Sequence, residues 1–181
     1  MLFRSAGIMI LGIDISSSIT GYTVLDDNGK IVENECIRLE KYKDFFEKAN
    51  RCKKVFEVLK TKYDIKNVFI EEPLLSFKMG FSSASTISTL SRFNGVLSWI
   101  CHETFKVTPE YFSAATARKA CGIKVPKGEK AKEFVFKHVL DTTPEFKVEW
   151  TAKGNPTPGT YDRSDSYIIA KAGFLKCSPK S

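Results

Sequence analysis

The first forty residues alternate between apolar runs and short polar breaks, as strands joined by tight turns do. Apolar residues dominate from Ile8 to Ile15 and from Thr20 to Leu25, and a third strand is indicated from Lys30 to Leu39. Between the second and third strands, the sequence DDNG at residues 26–29 is typical of a hairpin turn. We therefore predict that the chain opens with an antiparallel meander of three strands.

Beyond this meander, apolar residues recur at intervals of three and four, which is the spacing of an amphipathic helix. The pattern predicts helices at 44–63, 82–104, 113–122, about 128–140 and 161–175. Short strands are predicted for NVFIEEP at 67–73 and KVTPEYF at 106–112. Strands followed by alternating helices and strands predict a mixed sheet with helices on its faces, an α/β architecture.

The length of the chain favours one domain over two. A chain of 181 residues can bury most of its apolar surface in a single core, so we expect one domain over 1–181. Residues 1–8 are predicted to form a disordered extension and residues 176–181 a disordered tail. The five cysteines are scattered and never at CxxC spacing, so they indicate neither a zinc site nor a disulfide framework.

Basic residues outnumber acidic ones, 28 to 21, which gives a formal charge of +7. This surplus is compatible with a polyanionic partner, and equally with a surface charge that only maintains solubility. The N-terminal apolar run is too short for a secretory signal or a membrane span. We therefore expect no membrane partner and a cytoplasmic location, in the cytosol or the nucleoid.

Four acids stand where a ligand site is expected in such a fold. Asp14 and Glu71 end apolar strands, and ligands gather at the carboxyl ends of strands in open α/β sheets. Asp162 and Asp165 are three residues apart at the start of the last helix, and hence on one face. Taken singly, Asp14 could cap a turn and Asp162 a helix. Together, carboxylates without nearby histidine or cysteine favour Mg²⁺, or Mn²⁺, with two ions about 4 Å apart.

At these residues the chain resembles the RuvC-like Holliday junction resolvases of the ribonuclease H-like superfamily. The segment ILGIDISSSITGYTVLDDNGKIV is similar to the first motif of that family, and VFIEEP to the second. GIKVPKGEKAKEFVFKHVL resembles the basic segment and helix before the last motif, and YDRSDSYIIAKAG resembles the closing D-x-x-D motif. The resemblance covers most of the chain, in the expected order.

The resemblance implies a ribonuclease H-like mixed sheet, in which a three-strand antiparallel meander is extended by parallel strands and flanked by helices. It implies an endonuclease that resolves four-way DNA junctions by metal-dependent hydrolysis, as a homodimer and without a nucleotide cofactor. Asp14, Glu71, Asp162 and Asp165 then correspond to the catalytic, metal-binding acids. Neighbouring strand residues point to opposite faces, so only one of Glu71 and Glu72 can point into the site. The family places its glutamate directly after the isoleucine, which favours Glu71. The helix at 82–104 fits either a dimer face or, preferably, a core helix.

The resemblance also implies contacts with DNA. Lys130 corresponds to a lysine near the active site, where an ammonium could offset charge on the scissile phosphate. The DNA-binding set would comprise Phe77, Lys78, Phe81, Arg118, Lys119, Lys124, Lys127 and Lys132. Phe77 could equally cover the core beneath a loop, and any single lysine could belong to a solvated face.

Two departures from the family pattern indicate a phage or otherwise divergent member. Ser166 stands where the family usually has alanine, and residues 141–158 form a longer segment than the bacterial form requires.

Other functional classes remain alternatives. A less specific nuclease of branched DNA, flaps or RNA–DNA hybrids would share the same chemistry. An actin-like ATPase would need a second domain and a further glycine-rich motif, for which 181 residues leave no room. A non-catalytic relative that has lost its acids is disfavoured because all four are present.

Overall fold

The computed structural model describes residues 7–73 and 83–178. Its elements follow the predicted order closely. In chain order they are β1 (Met9–Asp14), β2 (Ile19–Leu25), β3 (Ile31–Arg38), α1 (Phe45–Lys62), β4 (Ile65–Glu71), α2 (Ala84–Phe105), β5 (Glu110–Phe112), α3 (Ala114–Ala120), α4 (Ala131–Thr142) and α5 (Thr160–Cys177).

Within the described ranges the strands form a single five-stranded sheet in the order β3-β2-β1-β4-β5. The first three strands pair antiparallel, while β4 pairs parallel with β1 and β5 parallel with β4. The predicted meander and its parallel extension are therefore confirmed. Since Ile13 is the partner of Ile70, the carboxyl ends of β1 and β4 lie side by side.

Because side chains alternate along each strand, the sheet has two faces that pack against different helices. Leu11 and Ile13 of β1 point into a core formed with α1 and α2, which includes Phe56 and Phe93. The intervening residues point to the opposite face, where α5 packs across β1, β2 and β4. Asp14 follows Ile10 and Gly12 at intervals of two residues along β1, and so its side chain lies on the same face, against α5.

Glycines allow α5 to lie unusually close to the sheet. A Cβ on Gly12 would overlap the backbone of Ala170 in α5, at 2.5 Å from its nitrogen. A Cβ on Gly21 of β2 would overlap the carbonyl group of Asp162. The absence of side chains at these two positions sets the depth at which α5, with its two acids, lies on the sheet.

Several boundaries differ from the sequence prediction by a few residues, and two of them concern the ends of β5 and α5. Strand β5 begins at Glu110 rather than at residue 106, because Lys106 is the left-handed C-cap residue of α2 and Pro109 has no N–H for the sheet. Helix α5 continues to Cys177, two residues into the segment predicted as a tail, and Lys176 pairs with Glu110 at 2.6 Å. Residues 1–6 and 179–181, the remainder of the predicted disordered ends, lie outside the described residues. Among the described helices, none is both long and apolar enough to cross a bilayer.

Glu33 of β3 anchors a polar cluster on the α1 side of the sheet. It accepts hydrogen bonds from Tyr22 at 2.7 Å and from Lys62 and Tyr63 at 3.1 Å. Partial burial works to raise the pKa of Glu33, but these hydrogen bonds outweigh it and hold the pKa below its usual value. The ionised carboxylate is therefore the form that stabilises the fold.

We expect Glu33→Gln to lower the free energy of unfolding by about 1–2 kcal/mol at pH 7. Because the folded-state pKa is depressed, this stabilisation is present above the unfolded pKa and is lost as the pH falls through the folded one. Urea unfolding from pH 7 to pH 3 should therefore show the difference between variant and wild type shrinking below about pH 4.5. Glu103→Gln, at an exposed pair with Lys106, is the control; a difference that stays constant with pH would contradict the assignment.

Candidate functional site

The carboxyl ends of β1 and β4 form the floor of an open cleft of about 730 Å³. Asp14 ends β1 and is only 7% exposed, and Glu71 ends the neighbouring strand β4. The two carboxyl groups lie close enough for each to affect the pKa of the other. Glu72 lies exposed at the rim, and its N–H donates to the carbonyl of Phe112 at 2.7 Å. The strand geometry thus brings Glu71 rather than Glu72 against Asp14.

The N-terminal part of α5 supplies the opposite wall of the cleft. Asp162 and Asp165 both line it, together with Asp14 and Glu71. Since Asp14 is the register partner of Gly21, and Gly21 lies against the Asp162 carbonyl, the first turn of α5 sits directly over the end of β1. The structure therefore brings the four predicted acids together, although their roles stay predictions.

The acids perturb one another in the manner expected of buried like charges. Burial raises the pKa of Asp14 well above its usual range, and the charges of Glu71 and Asp162 raise it further. Burial likewise raises the pKa of Glu71 and of Asp162. For Asp165, burial and the charge of Asp14 raise the pKa to about 8. The cluster therefore binds protons tightly, first because its acids are buried and second because like charges lie close together.

Lys132 is the main cation acting on the cluster. It lines the cleft and lowers the pKa of all four acids. Lys130, which the resemblance implies as the lysine near the active site, is not among the residues lining the cleft. Its side chain is 82% exposed and lies 3.8 Å from Glu133.

The different positions of the two lysines follow from the start of α4. Lys130 is the N-cap residue with extended backbone, whereas Lys132 belongs to the first helical turn. Two residues along a helix rotate the side-chain direction by roughly 200°. The structure thus favours Lys132 over Lys130 for the position beside the acids.

The other predicted DNA contacts fall into three groups. Arg118 lines the cleft and also a second hollow, which Lys119 and Lys124 border. Lys127 is exposed and lies in neither. Phe77, Lys78 and Phe81 lie outside the described residues.

Sequence reasoning missed Asn94 of α2, which also lines the cleft. This residue is 6% exposed, and its Nδ2 donates to the carbonyl of Glu71 at 3.0 Å. Ser98, one turn later, donates to the carbonyl of Asn94 at 2.7 Å. Asn94 thereby ties the end of β4 to α2. A polar residue within an otherwise apolar helical stripe was the signal that could have indicated it.

The donor set fits a divalent cation in its chemistry but is not arranged around one. Within residues 7–73 and 83–178, no three Asp, Glu, His or Cys side chains are grouped closely enough to hold a metal ion. Burial and the neighbouring charge of Glu71 instead raise the pKa of Asp14, which favours a proton on that carboxyl group. Carboxylate oxygens are the ligands that Mg²⁺ and Mn²⁺ prefer, and a cation would replace that proton and relieve the repulsion.

No protein-family model and no curated protein matches the chain. Its fold is nevertheless similar to those of solved resolvase structures. RuvC from T. thermophilus in complex with Holliday junction substrate is 15% identical, with 93% of this chain and 94% of that chain covered and a TM-score of 0.64. A second Thermus thermophilus RuvC structure is 16% identical, covering 93% and 95%, with a TM-score of 0.64.

The yeast mitochondrial Holliday junction resolvase Ydc2 is also similar. It is 16% identical, with 92% of this chain and 77% of that chain covered and a TM-score of 0.60. At these identities the likeness concerns the fold. The chain therefore has the RuvC fold, and the ribonuclease H-like architecture that the sequence resemblance implied is confirmed.

Proposed function

We propose that the protein is a structure-selective DNA endonuclease that resolves four-way junctions in recombination and repair. The observation that carries this proposal is the meeting of Asp14, Glu71, Asp162 and Asp165 in one cleft of a chain with the RuvC fold. One of the similar structures is described as bound to a Holliday junction substrate, which supports branched DNA as the partner.

In this proposal the four acids hold Mg²⁺, or Mn²⁺, as two ions. The ions would supply an activated water and stabilise the leaving oxygen during phosphodiester hydrolysis. Lys132 and Arg118 enter the same cleft from α4 and α3, where they would bind the phosphate and balance its charge. Asn94 holds the strand end that carries Glu71, and so it keeps that acid in place.

The DNA strand is proposed to leave the cleft over α3. Arg118 is shared by the cleft and the hollow beside it, and Lys119 and Lys124 continue the line of positive charge. Each such phosphate contact contributes about one unit to the slope of log affinity against log salt concentration.

Paired cleavage of a two-fold symmetric junction requires two active sites, and we therefore also propose a homodimer. On α2, Phe93, Leu97 and Ile100 are buried in the core, as preferred for this helix, while Trp99 on its outer face is 62% exposed. Sedimentation of the free protein and of its junction complex would give the number of protomers directly.

The proposed function is tested with a panel of labelled substrates: a four-way junction, the matched duplex, a flap and an RNA–DNA hybrid, each with and without Mg²⁺. We expect paired nicks in the junction that depend on the metal. Preferential cleavage of flaps or hybrids would favour the broader nuclease, and cleavage of no substrate would overturn the proposal.

The proposed function predicts different effects for the replacement of Lys132 and of Lys130. We expect Lys132→Gln to lower the cleavage rate by about tenfold to a thousandfold, because it removes the main positive charge in the cleft. Lys130→Gln is expected to have a much smaller effect, and Lys137→Gln, on an exposed part of α4, serves as the control. Single-turnover rates on the junction measure this, and a larger loss for Lys130→Gln would restore the role that the resemblance implies.

A further inference from the structure

Helix α5 begins without the capping contact that usually fixes a first turn. Its N-cap residue is Gly159, at a φ of 91°, and no side chain caps the free N–H groups. Asp162 and Asp165 lie in this first part of the helix. Something other than a cap must hold the turn, because the two acids must keep a defined position relative to Asp14 and Glu71.

Arg163 lies between the two acids and points away from the cleft towards β3. Its Nε donates to the carbonyl of Asn34 at 3.1 Å and to the Asn34 Oδ1 at 3.0 Å. Its Nη2 donates to the carbonyl of Lys147 at 2.7 Å, and its guanidinium lies 5.3 Å from the ring centroid of Phe146. One side chain thus joins α5, the sheet and the 141–158 segment.

Asn34 in turn contacts the backbone of α5. Its Nδ2 donates to the carbonyl of Arg163 at 3.0 Å and to the Oγ1 of Thr23 at 2.7 Å. Ser166 donates to the same Arg163 carbonyl at 2.8 Å, and its Oγ lies 2.8 Å from the Oγ1 of Thr23. Thr23, Asn34 and Ser166 are all buried. We call Thr23, Asn34, Arg163 and Ser166 the β3–α5 clamp.

Resting on the proposed function, we propose that Arg163 is a positioning residue: through the β3–α5 clamp it fixes the N-terminal part of α5 so that Asp162 and Asp165 stay in the cleft with Asp14 and Glu71, where they would hold the metal ions. The clamp holds this part of the helix from the side opposite the cleft, and so it can orient the acids without touching the substrate. The clamp also gives the buried Ser166 hydroxyl its hydrogen-bond partners, Thr23 and the carbonyl of Arg163.

The test compares Arg163→Ala, Arg163→Lys and Asn34→Ala with wild type. Three quantities are measured for each protein. They are the Mn²⁺ affinity by electron paramagnetic resonance, the affinity for the junction in the presence of EDTA, and the kcat of junction cleavage. We expect Arg163→Ala to weaken Mn²⁺ binding and to lower kcat, each by about tenfold to a hundredfold, as is typical of residues that orient metal ligands. Junction affinity in EDTA should stay within about twofold.

Arg163→Lys should recover part of both losses, since lysine can reach one acceptor but cannot bridge several. The double variant Asn34→Ala/Arg163→Ala should lose less than the sum of the single variants, because both act through one network.

Two controls separate positioning from simple destabilisation. Val139→Ala creates a cavity in the α4–α5 core and should lower the melting temperature without weakening Mn²⁺ binding. Arg38→Ala removes an exposed arginine that pairs with Glu40 and should change nothing.

The proposal would be overturned if Arg163→Ala bound Mn²⁺ as tightly as wild type does. It would also be overturned if Val139→Ala lost as much Mn²⁺ affinity as Arg163→Ala. If wild type binds Mn²⁺ but cuts no substrate, the proposed function fails while the Mn²⁺ measurement still decides the clamp. If wild type neither binds Mn²⁺ nor cuts, both proposals fall.

Discussion

Replacing Asp14 with asparagine is expected to lower junction cleavage by at least about a hundredfold while leaving junction binding intact. The amide has the shape of the carboxylate but no charge, and so it cannot act as an anionic ligand at the centre of the cluster. The same change removes a buried carboxylate from among like charges, where burial and Glu71 hold its pKa high. The melting temperature in EDTA should therefore be unchanged or higher.

Single-turnover cleavage with Mg²⁺, junction binding in EDTA and thermal unfolding together test this prediction. Asp27→Asn, in the exposed turn between β2 and β3, is the matched control and should behave as wild type. Cleavage by Asp14→Asn at the wild-type rate would refute the nuclease proposal, whereas loss of cleavage with a lower melting temperature would indicate a structural role instead.

The second large effect is expected for Gly12→Ala. The added methyl group would overlap the backbone of Ala170, which no side-chain rotation can relieve, and so α5 must move away from the sheet. Overpacking of this kind costs about 1–3 kcal/mol in the free energy of unfolding. Because α5 carries Asp162 and Asp165, cleavage should fall as well.

Gly95→Ala provides the contrast within the same chain. Gly95 is an exposed position of α2 with open space around it, so alanine should stabilise the helix by about 0.5–1 kcal/mol. Urea unfolding of both variants measures the difference. If Gly12→Ala were as stable as wild type, the close approach of α5 would not be required for the fold.

The sequence was sufficient to predict that these acids meet, because the prediction needs only the periodicity of the elements and the rule that ligands gather at the carboxyl ends of strands. Strand alternation puts Asp14 on the face of Gly12, parallel pairing brings Glu71 beside it, and the i, i+3 spacing joins Asp162 to Asp165. Each step needs only the order of elements and the periodicity of the chain.

The rest of the site depends on contacts that periodicity does not encode. The start of α4 falls between Lys130 and Lys132, and that boundary decides which lysine faces the acids. Asn34 and Arg163 lie 129 positions apart, and their pairing follows from the packing of α5 against β3. Asn94 contacts a backbone carbonyl, a partner that carries no sequence signature.

The packing of α5 over β1, β2 and β4 has a consequence for when activity can appear during synthesis. Two of the four acids enter with residues 160–177, after all the strands of the described sheet have been made. A nascent chain whose α5 has not yet left the ribosome carries the basic surface of α3 and α4 but only two of the four acids. Under the proposed function, such a chain would hold DNA without cutting it, and cleavage would begin only once α5 has docked on the sheet.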